Sequence, residues 1–216
     1  MLWFTSDLHW NHRNVLPYCN RPYGSVEEMN EAMLKIWNDT VKPDDTVWFL
    51  GDLDINGKRS HRDLVKSLNG HKKLIVGNHD IGFSHTHSGS RVLDKTQRQR
   101  DQLLEYGWQE VHQIHTVTLK NGRNVMLSHL PYLEDTSEFD LRYKELRPID
   151  KGMTLIHGHL HARYIKKNRM IDVAFDGKLG FYSEDEVIAL IDDPRDYISS
   201  RLTDFYNSSN PRVLEK

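Results

Sequence analysis

The chain has 216 residues, 38% hydrophobic and 28% charged, an ordinary balance for a soluble protein and enough length for one domain with a real core. Its 29 Lys and Arg against 31 Asp and Glu leave a formal charge of -2, which excludes a global positive field that would draw in nucleic acid or an anionic membrane. No apolar run approaches the roughly 18 residues of a membrane span, and a single cysteine, Cys19, excludes an intrachain disulfide.

Leu2-Trp3-Phe4 reads as a first strand opening into Asp7 and His9. A strand so near the start leaves no room for a cleavable leader, and one cysteine, itself expected to be inert, suits a reducing compartment; a cytoplasmic location is expected. The polar connection over 7–23 carries His9, His12, Arg13 and Asn14, and loops of this kind tend to carry function. His12, Arg13 and Asn14 read either as phosphate contacts, Arg13 through a charge-assisted fork, or as ordinary loop hydrogen-bonding groups. Ser25 with Glu28 forms a capping box, and Val26, Met29, Met33, Ile36 and Trp37 follow at helical spacing, so a helix packs on the sheet there. Pro43-Asp44-Asp45 turns the chain into a second strand, Val47-Trp48-Phe49-Leu50, which leads to Asp52. Leu64, Val65 and Leu68 mark a short helix stopped by Asn69-Gly70, ahead of a strand from Lys73 to Val76 that opens into Gly77-Asn78-His79-Asp80. This alternation implies parallel pairing.

From 81 to 96 the pattern dissolves into a loop able to serve as a lid, with His85 and His87 read as solvated, and 97–106 reads as a helix. Val111 to Leu119 and Arg123 to Ser128 flank Asn121-Gly122, a strong hairpin signal, so the second half is expected to be largely antiparallel. The stretch 132–152 reads as a solvated, charged insertion bearing Arg142, Lys144 and Arg147. Leu155-Ile156 leads into His157, His159 and His161, and a second hairpin brackets an exposed basic tip at Lys166-Lys167-Asn168-Arg169. Residues 1–192 form the domain, with 193–216 expected as its C-terminal helix and polar tail.

An apolar run closed by polar residues reads as a buried strand whose carboxyl end opens into a crevice. If the strands share one sheet and one rim, Asp7, His9, Asp52, Asn78, His129, His159 and His161 converge, enough for two metal ions. Of 13 histidines, those at 9, 79, 129, 157, 159 and 161 sit at or beside these strand ends, which favours coordination over scatter.

Asp7-Leu8-His9, Gly51-Asp52, Gly77-Asn78-His79-Asp80, Ser128-His129 and Gly158-His159-Leu160-His161, in that order, resemble the motifs of the calcineurin-like metallophosphoesterases. The likeness runs from about residue 2 to 192 and points to the small phosphohydrolases of bacteria and phages, in which a His and an Asn follow the first motif as His12 and Asn14 do here. It implies an α/β fold, a four-layer αββα sandwich with two mixed sheets flanked by helices. It implies that Asp7, His9, Asp52 and His161 hold one metal, with Asp52 bridging to a second held by Asn78, His129 and His159. Imidazole and carboxylate without thiolate suit Mn, with Fe, Zn, Ni or Co as alternatives. The implied reaction is hydrolysis of a phosphate ester by a hydroxide bridging the two ions, with His79 facing the leaving oxygen.

Asp80 reads either as the group that orients His79 or as an acceptor for backbone, and His157 as support for the ligands or as a satisfied buried histidine. Many family members carry a carboxylate three residues after the bridging Asp, paired with the imidazole equivalent to His79. Here Ile55 stands in that place and Asp54 comes one residue early. A phosphodiester of nucleotide or nucleic-acid-end type is the favoured substrate, with a phosphomonoesterase or a non-catalytic scaffold as alternatives. No membrane partner is expected. A nuclease would need Arg13, Arg142 or Arg147 to line a groove.

Overall fold

The computed structural model describes residues 1–55, 59–83, 90–133, 142–199 and 201–202. In chain order its elements are β1 (Leu2–Thr5), α1 (Val15–Tyr18), α2 (Val26–Thr40), β2 (Thr46–Phe49), α3 (Arg59–Ser67), β3 (His71–Ile75), α4 (Ser90–Glu105), β4 (Glu110–His112), β5 (Ile114–Thr118), β6 (Asn124–Ser128), β7 (Thr154–His157), β8 (Lys166–Lys167), β9 (Met170–Asp172), β10 (Tyr182–Ser183) and α5 (Glu184–Asp192). One sheet has the order β10-β1-β2-β3-β4, parallel except at β10. The other has the order β5-β6-β7-β9-β8, with a parallel centre and antiparallel edges.

The architecture is therefore α/β with two mixed sheets. The second half is less antiparallel than the hairpin signal suggests, because the connections after β6 and β7 carry the chain back so that β6, β7 and β9 all run the same way. The single strand expected over Val111 to Leu119 is two strands. It breaks at Gln113, where the chain leaves the first sheet as β4 and enters the second as β5.

Alternation along the strands sorts the core into layers. Phe4, Trp48, Leu50 and Ile75 meet Val125, Leu127, Ile156, Ile171 and Val173 between the sheets. On the opposite face of the first sheet, Val47, Phe49, Leu74 and Val76 bury against Met29, Met33 and Trp37 of α2, Leu64 and Val65 of α3 and Leu103 of α4. α2 starts where Ser25 Oγ accepts the Glu28 amide at 3.1 Å, while the Glu28 carboxylate reaches back to the Gly24 amide at 2.7 Å. α5 opens with a complete capping box between Ser183 and Glu186. On the outer face of the second sheet, Leu155 and Met170 pack with Tyr132, Leu160 and Tyr164. Among the described residues no α-helix joins that cluster.

Several local expectations change. α4 begins at Ser90, so the loop expected over 81–96 is shorter, and His85 and His87 lie outside the described residues. Of the insertion over 132–152, residues 134–141 lie outside the described residues, Lys144–Leu146 make a short 3-10 turn, and Arg147 is buried rather than solvated. The basic tip is a tighter turn at Asn168-Arg169, and Lys166 is buried with its ammonium on the Asp193 carbonyl. Over the described residues 194–199 there is no helix and Tyr197 is bridged to Lys166, while residues 200 and 203–216, the polar end included, lie outside the described residues. Among the described residues no helix is long and apolar enough to cross a membrane.

Trp37 shows how α2 is fastened. Its ring lies 5.0 Å from Phe181 and 6.1 Å from Phe49, and its indole N–H donates to the Asn69 carbonyl at 3.0 Å. Trp37→Ala is expected to remove about 3 to 5 kcal/mol from the urea unfolding free energy, against about 1 kcal/mol for the cap variant Ser25→Ala. Comparable losses for the two would place the anchor of α2 elsewhere.

Candidate metal centre

β1, β2 and β3 release Asp7, Asp52 and Asn78 from one sheet, and β6 and β7 release His129, His159 and His161 from the other. The residues named from the sequence do meet, but across the seam between two sheets rather than along one rim. The local backbone is unusual: Asp7 (φ 57), His9 (φ 51), Asp52 (φ 61), His159 (φ 72) and His161 (φ 52) all occupy the left-handed region. For residues with a Cβ this costs on the order of 1 to 2 kcal/mol each, and it persists only where surrounding contacts over-determine it. Glycine lets the loops close in. A Cβ on Gly77 would lie 2.2 Å from Asp52 Oδ1, and one on Gly158 would lie 2.4 Å from Asp7 Oδ2.

Both carboxylates are buried, and each has one oxygen committed to the protein. Asp52 Oδ1 accepts the His79 amide at 2.8 Å, and Asp7 Oδ2 accepts Ser6 Oγ at 2.6 Å and the His159 amide at 2.9 Å. The second oxygens face imidazoles. Asp52 Oδ2 stands 3.4 Å from His129 Nε2, 3.7 Å from His9 Nε2 and 4.0 Å from His79 Nε2. Asp7 Oδ1 stands 3.9 Å from His9 Nε2 and 4.0 Å from His161 Nε2. Among the described residues, Asp7 Oδ1 and both nitrogens of His9 are buried without a hydrogen-bond partner. Most of these separations are too long for hydrogen bonds, yet they suit donors grouped around a shared cation with bonds of roughly 2.0 to 2.2 Å. The donor set fits a transition-metal site, and Asp7, His9 and His161 form one group and Asp7, Asp52 and His129 another.

Two ligand tautomers are fixed from behind. His129 Nδ1 donates to the Leu50 carbonyl at 2.7 Å, and His161 Nδ1 donates to Asp176 Oδ2 at 2.8 Å, so each turns Nε2 inward. Asn78 Oδ1 lies 3.0 Å from His129 Nε2, and the His159 ring lies edge-on 5.2 Å from that of His129. Burial lowers both imidazoles, yet Asp52 raises His129 to about 9, and Cys19, Asp176 and Asp7 raise His161. The carboxylates thus draw positive charge into the centre, a demand that a metal ion meets with release of the imidazole protons.

Asp80 does not reach for His79. Its two oxygens accept the amides of Asp52 (2.9 Å), Leu53 (3.2 Å) and Gly77 (2.8 Å), and burial with the Asp52 charge pushes its carboxyl up to about 7. It is a clamp joining the loops after β2 and β3. His79 sits at the mouth with 40% of its side chain exposed. Asp54 is buried and faces His61 Nδ1 at 3.5 Å, whose Nε2 accepts from Trp108, so it is turned toward α3. His157 is a satisfied buried histidine, held between the Gly158 carbonyl at 2.7 Å and Tyr164 OH at 3.0 Å. His12 is half-buried beside His9, with ring centroids 5.4 Å apart, and burial lowers it to about 4. Arg13 and Asn14 are exposed. Of the arginines that could line a nuclease groove, Arg147 is buried, whereas Arg13 and Arg142 are exposed.

Sequence reasoning passed over Ser6, Arg21 and Asp176, which carry no motif spacing of their own, and took Cys19 as inert. Its thiol, pushed up by burial and Asp176, lies 3.2 Å from His161 Nδ1. A separate group, Glu110, His112 and His115, also has ligand-like spacing, but Glu110 already pairs with Lys73 at 2.7 Å.

Two measurements probe this framework. Gly77→Ala is expected to cost about 1 to 3 kcal/mol in urea unfolding through overpacking and to lower metal uptake by displacing Asp52; normal uptake would show that the loops yield. His157 titrates at about 3 when folded against 6.5 unfolded, so the unfolded chain takes up the extra proton and stability drains as pH falls from 6.5 toward 3. In chelator-treated protein, the stability gap between wild type and the non-titrating His157→Gln is expected to narrow over that window. A gap independent of pH would refute the assignment.

No family model matches the chain. It is 34% identical over 173 residues to the uncharacterised protein MJ1445 of Methanocaldococcus jannaschii, covering 79% of this chain and 75% of that one. It is 32% identical over 201 residues to the gene 66 protein of Mycobacterium phage D29, covering 89% of this chain and 96% of that one. A solved structure, the protein of unknown function AQ665 from Aquifex aeolicus, superposes at a TM-score of 0.63 and 26% identity over 88% of this chain and 99% of that one. An archaeal phosphodiesterase and the phosphopantetheinyl hydrolase of Mycobacterium tuberculosis are similar only at a TM-score of 0.40 and 16% identity, over 80% of this chain and 81% and 88% of theirs. On the strength of the matches that span most of both sequences, the chain belongs to the family that includes MJ1445 and the gene 66 protein of phage D29.

Proposed function

We propose that the chain is a phosphoesterase dependent on two divalent transition-metal ions, Mn2+ foremost, and that it hydrolyses a phosphodiester of nucleotide or nucleic-acid-end type. The observation that carries this reading is the set of carboxylate oxygens and imidazole nitrogens spaced 3.4 to 4.0 Å apart around Asp7 and Asp52, with Asp7 Oδ1 and both His9 nitrogens otherwise unpartnered. The motifs shared with the calcineurin-like metallophosphoesterases support it. Asp7, His9 and His161 would hold one ion and Asn78, His129 and His159 the other, with Asp52 within reach of both groups.

When bound, the ions supply neutralisation of phosphate charge and acidification of water to a nucleophile at neutral pH. The remaining steps belong to side chains. His79, anchored through its amide to Asp52 and exposed at the mouth, stands where it can give a proton to the leaving oxygen or stabilise its charge. His12, kept neutral at pH 7, offers a ring nitrogen to a phosphate oxygen or sugar hydroxyl, with Arg13 and Asn14 further out on the same loop. Asp80 holds the Asp52 and Gly77 loops in register.

His79→Ala is expected to keep both ions but to lose on the order of 10² to 10⁴ in turnover of bis-p-nitrophenyl phosphate. Unchanged turnover removes the acid role. A chain that holds no metal after purification without chelator removes the enzyme reading and leaves a scaffold.

A further inference from the structure

We propose that the buried Arg21–Asp176 ion pair positions one half of the metal pair, the group Asp7, His9 and His161, and that Arg201 near the C-terminus latches it. The inference rests on the metal-centre reading above. Asp176 Oδ2 accepts His161 Nδ1 at 2.8 Å and Arg21 Nη2 at 3.1 Å, and its Oδ1 accepts Arg21 Nε at 2.8 Å. The same guanidinium donates through Nη2 to the Asp7 carbonyl and through Nη1 to the Leu8 carbonyl, both at 2.6 Å. One cation thus ties the backbone of Asp7-Leu8-His9 to the carboxylate that orients His161. Because a carboxylate only accepts, the proton stays on His161 Nδ1 and the Nε2 lone pair points toward Asp7 Oδ1.

In the other half, His129 is oriented from behind by a different group, the Leu50 carbonyl that accepts its Nδ1–H. Asp176 reaches that half only indirectly, through Arg21 and Asp7, whose Oδ2 accepts the His159 amide at 2.9 Å. Behind the pair, Arg201 donates from Nε to the Asp176 carbonyl at 2.8 Å, from Nη1 to the Asn20 carbonyl at 3.0 Å and from Nη2 to the Cys19 carbonyl at 3.1 Å. Leu202 is buried with Ala162 and Ala174, so the end of the described chain is seated against the turn that carries His161. A buried ion pair contributes little net stability once desolvation is counted. What it supplies here is orientation, and mainly on one side of the centre.

The test uses full-length, chelator-stripped protein titrated with Mn2+ alone, followed by equilibrium dialysis and by the electron paramagnetic resonance of free and paired ions. Wild type is expected to take two ions. Asp176→Asn, nearly isosteric and still an acceptor for Arg21, is expected to weaken one ion by roughly 10- to 100-fold and the other by much less. In ¹⁵N spectra the His161 Nδ1–H signature is expected to disappear with it. Arg201→Ala, a change at the partly exposed rim, is expected to weaken the same ion less. Equal weakening of both ions, or of neither, overturns the inference. A wild-type chain that binds no Mn2+ overturns instead the reading on which it rests.

Discussion

Two carboxylates buried within reach of one another are the constraint to which everything else answers. Asp7 and Asp52 lie out of water at the seam between the sheets, and isolated charges there would be strongly unfavourable. The surroundings compensate in two ways. On one side each carboxylate takes fixed donors, Ser6 and the amides of His79 and His159; on the other it faces imidazoles and the second carboxylate. That asymmetry makes the seam a cation-seeking cleft rather than an ordinary polar core.

The loops that deliver these groups lack regular structure, and other buried carboxylates stand in for it. Asp80 gathers the amides of Asp52, Leu53 and Gly77, and Asp172 gathers those of Ala162 and Ala174. Each clamp joins segments from different strand ends. The irregular rim is therefore stiff where it must be, since buried amides left unpaired would be costly. The opening by His79 and His12 remains accessible.

Much of this was legible in the sequence because two signals coincided: an apolar run of strand length, then a polar residue able to bind metal. Asp7, Asp52, Asn78, His129 and His159 each follow such a run, and the structure brings them together. Legibility failed where an outcome depended on distant partners. Arg21 lies in an ordinary polar loop until Asp176 meets it across 155 positions. The break at Gln113 was invisible because β-branched and polar residues alternate smoothly on both sides of it, so periodicity cannot register that the chain changes sheets. Asp80 left two readings open in the sequence, and only coordinates could choose the clamp.

The left-handed backbone at the candidate metal-binding positions has an evolutionary corollary. Glycine would relax that geometry at no steric penalty, whereas Asp and His hold it only while chemistry selects for them. A lineage that no longer needs these side chains should drift toward glycine at these sites and gain firmness as it does. Inert descendants of this architecture would then be recognisable by sturdier folds and emptied turns, not by wholesale decay.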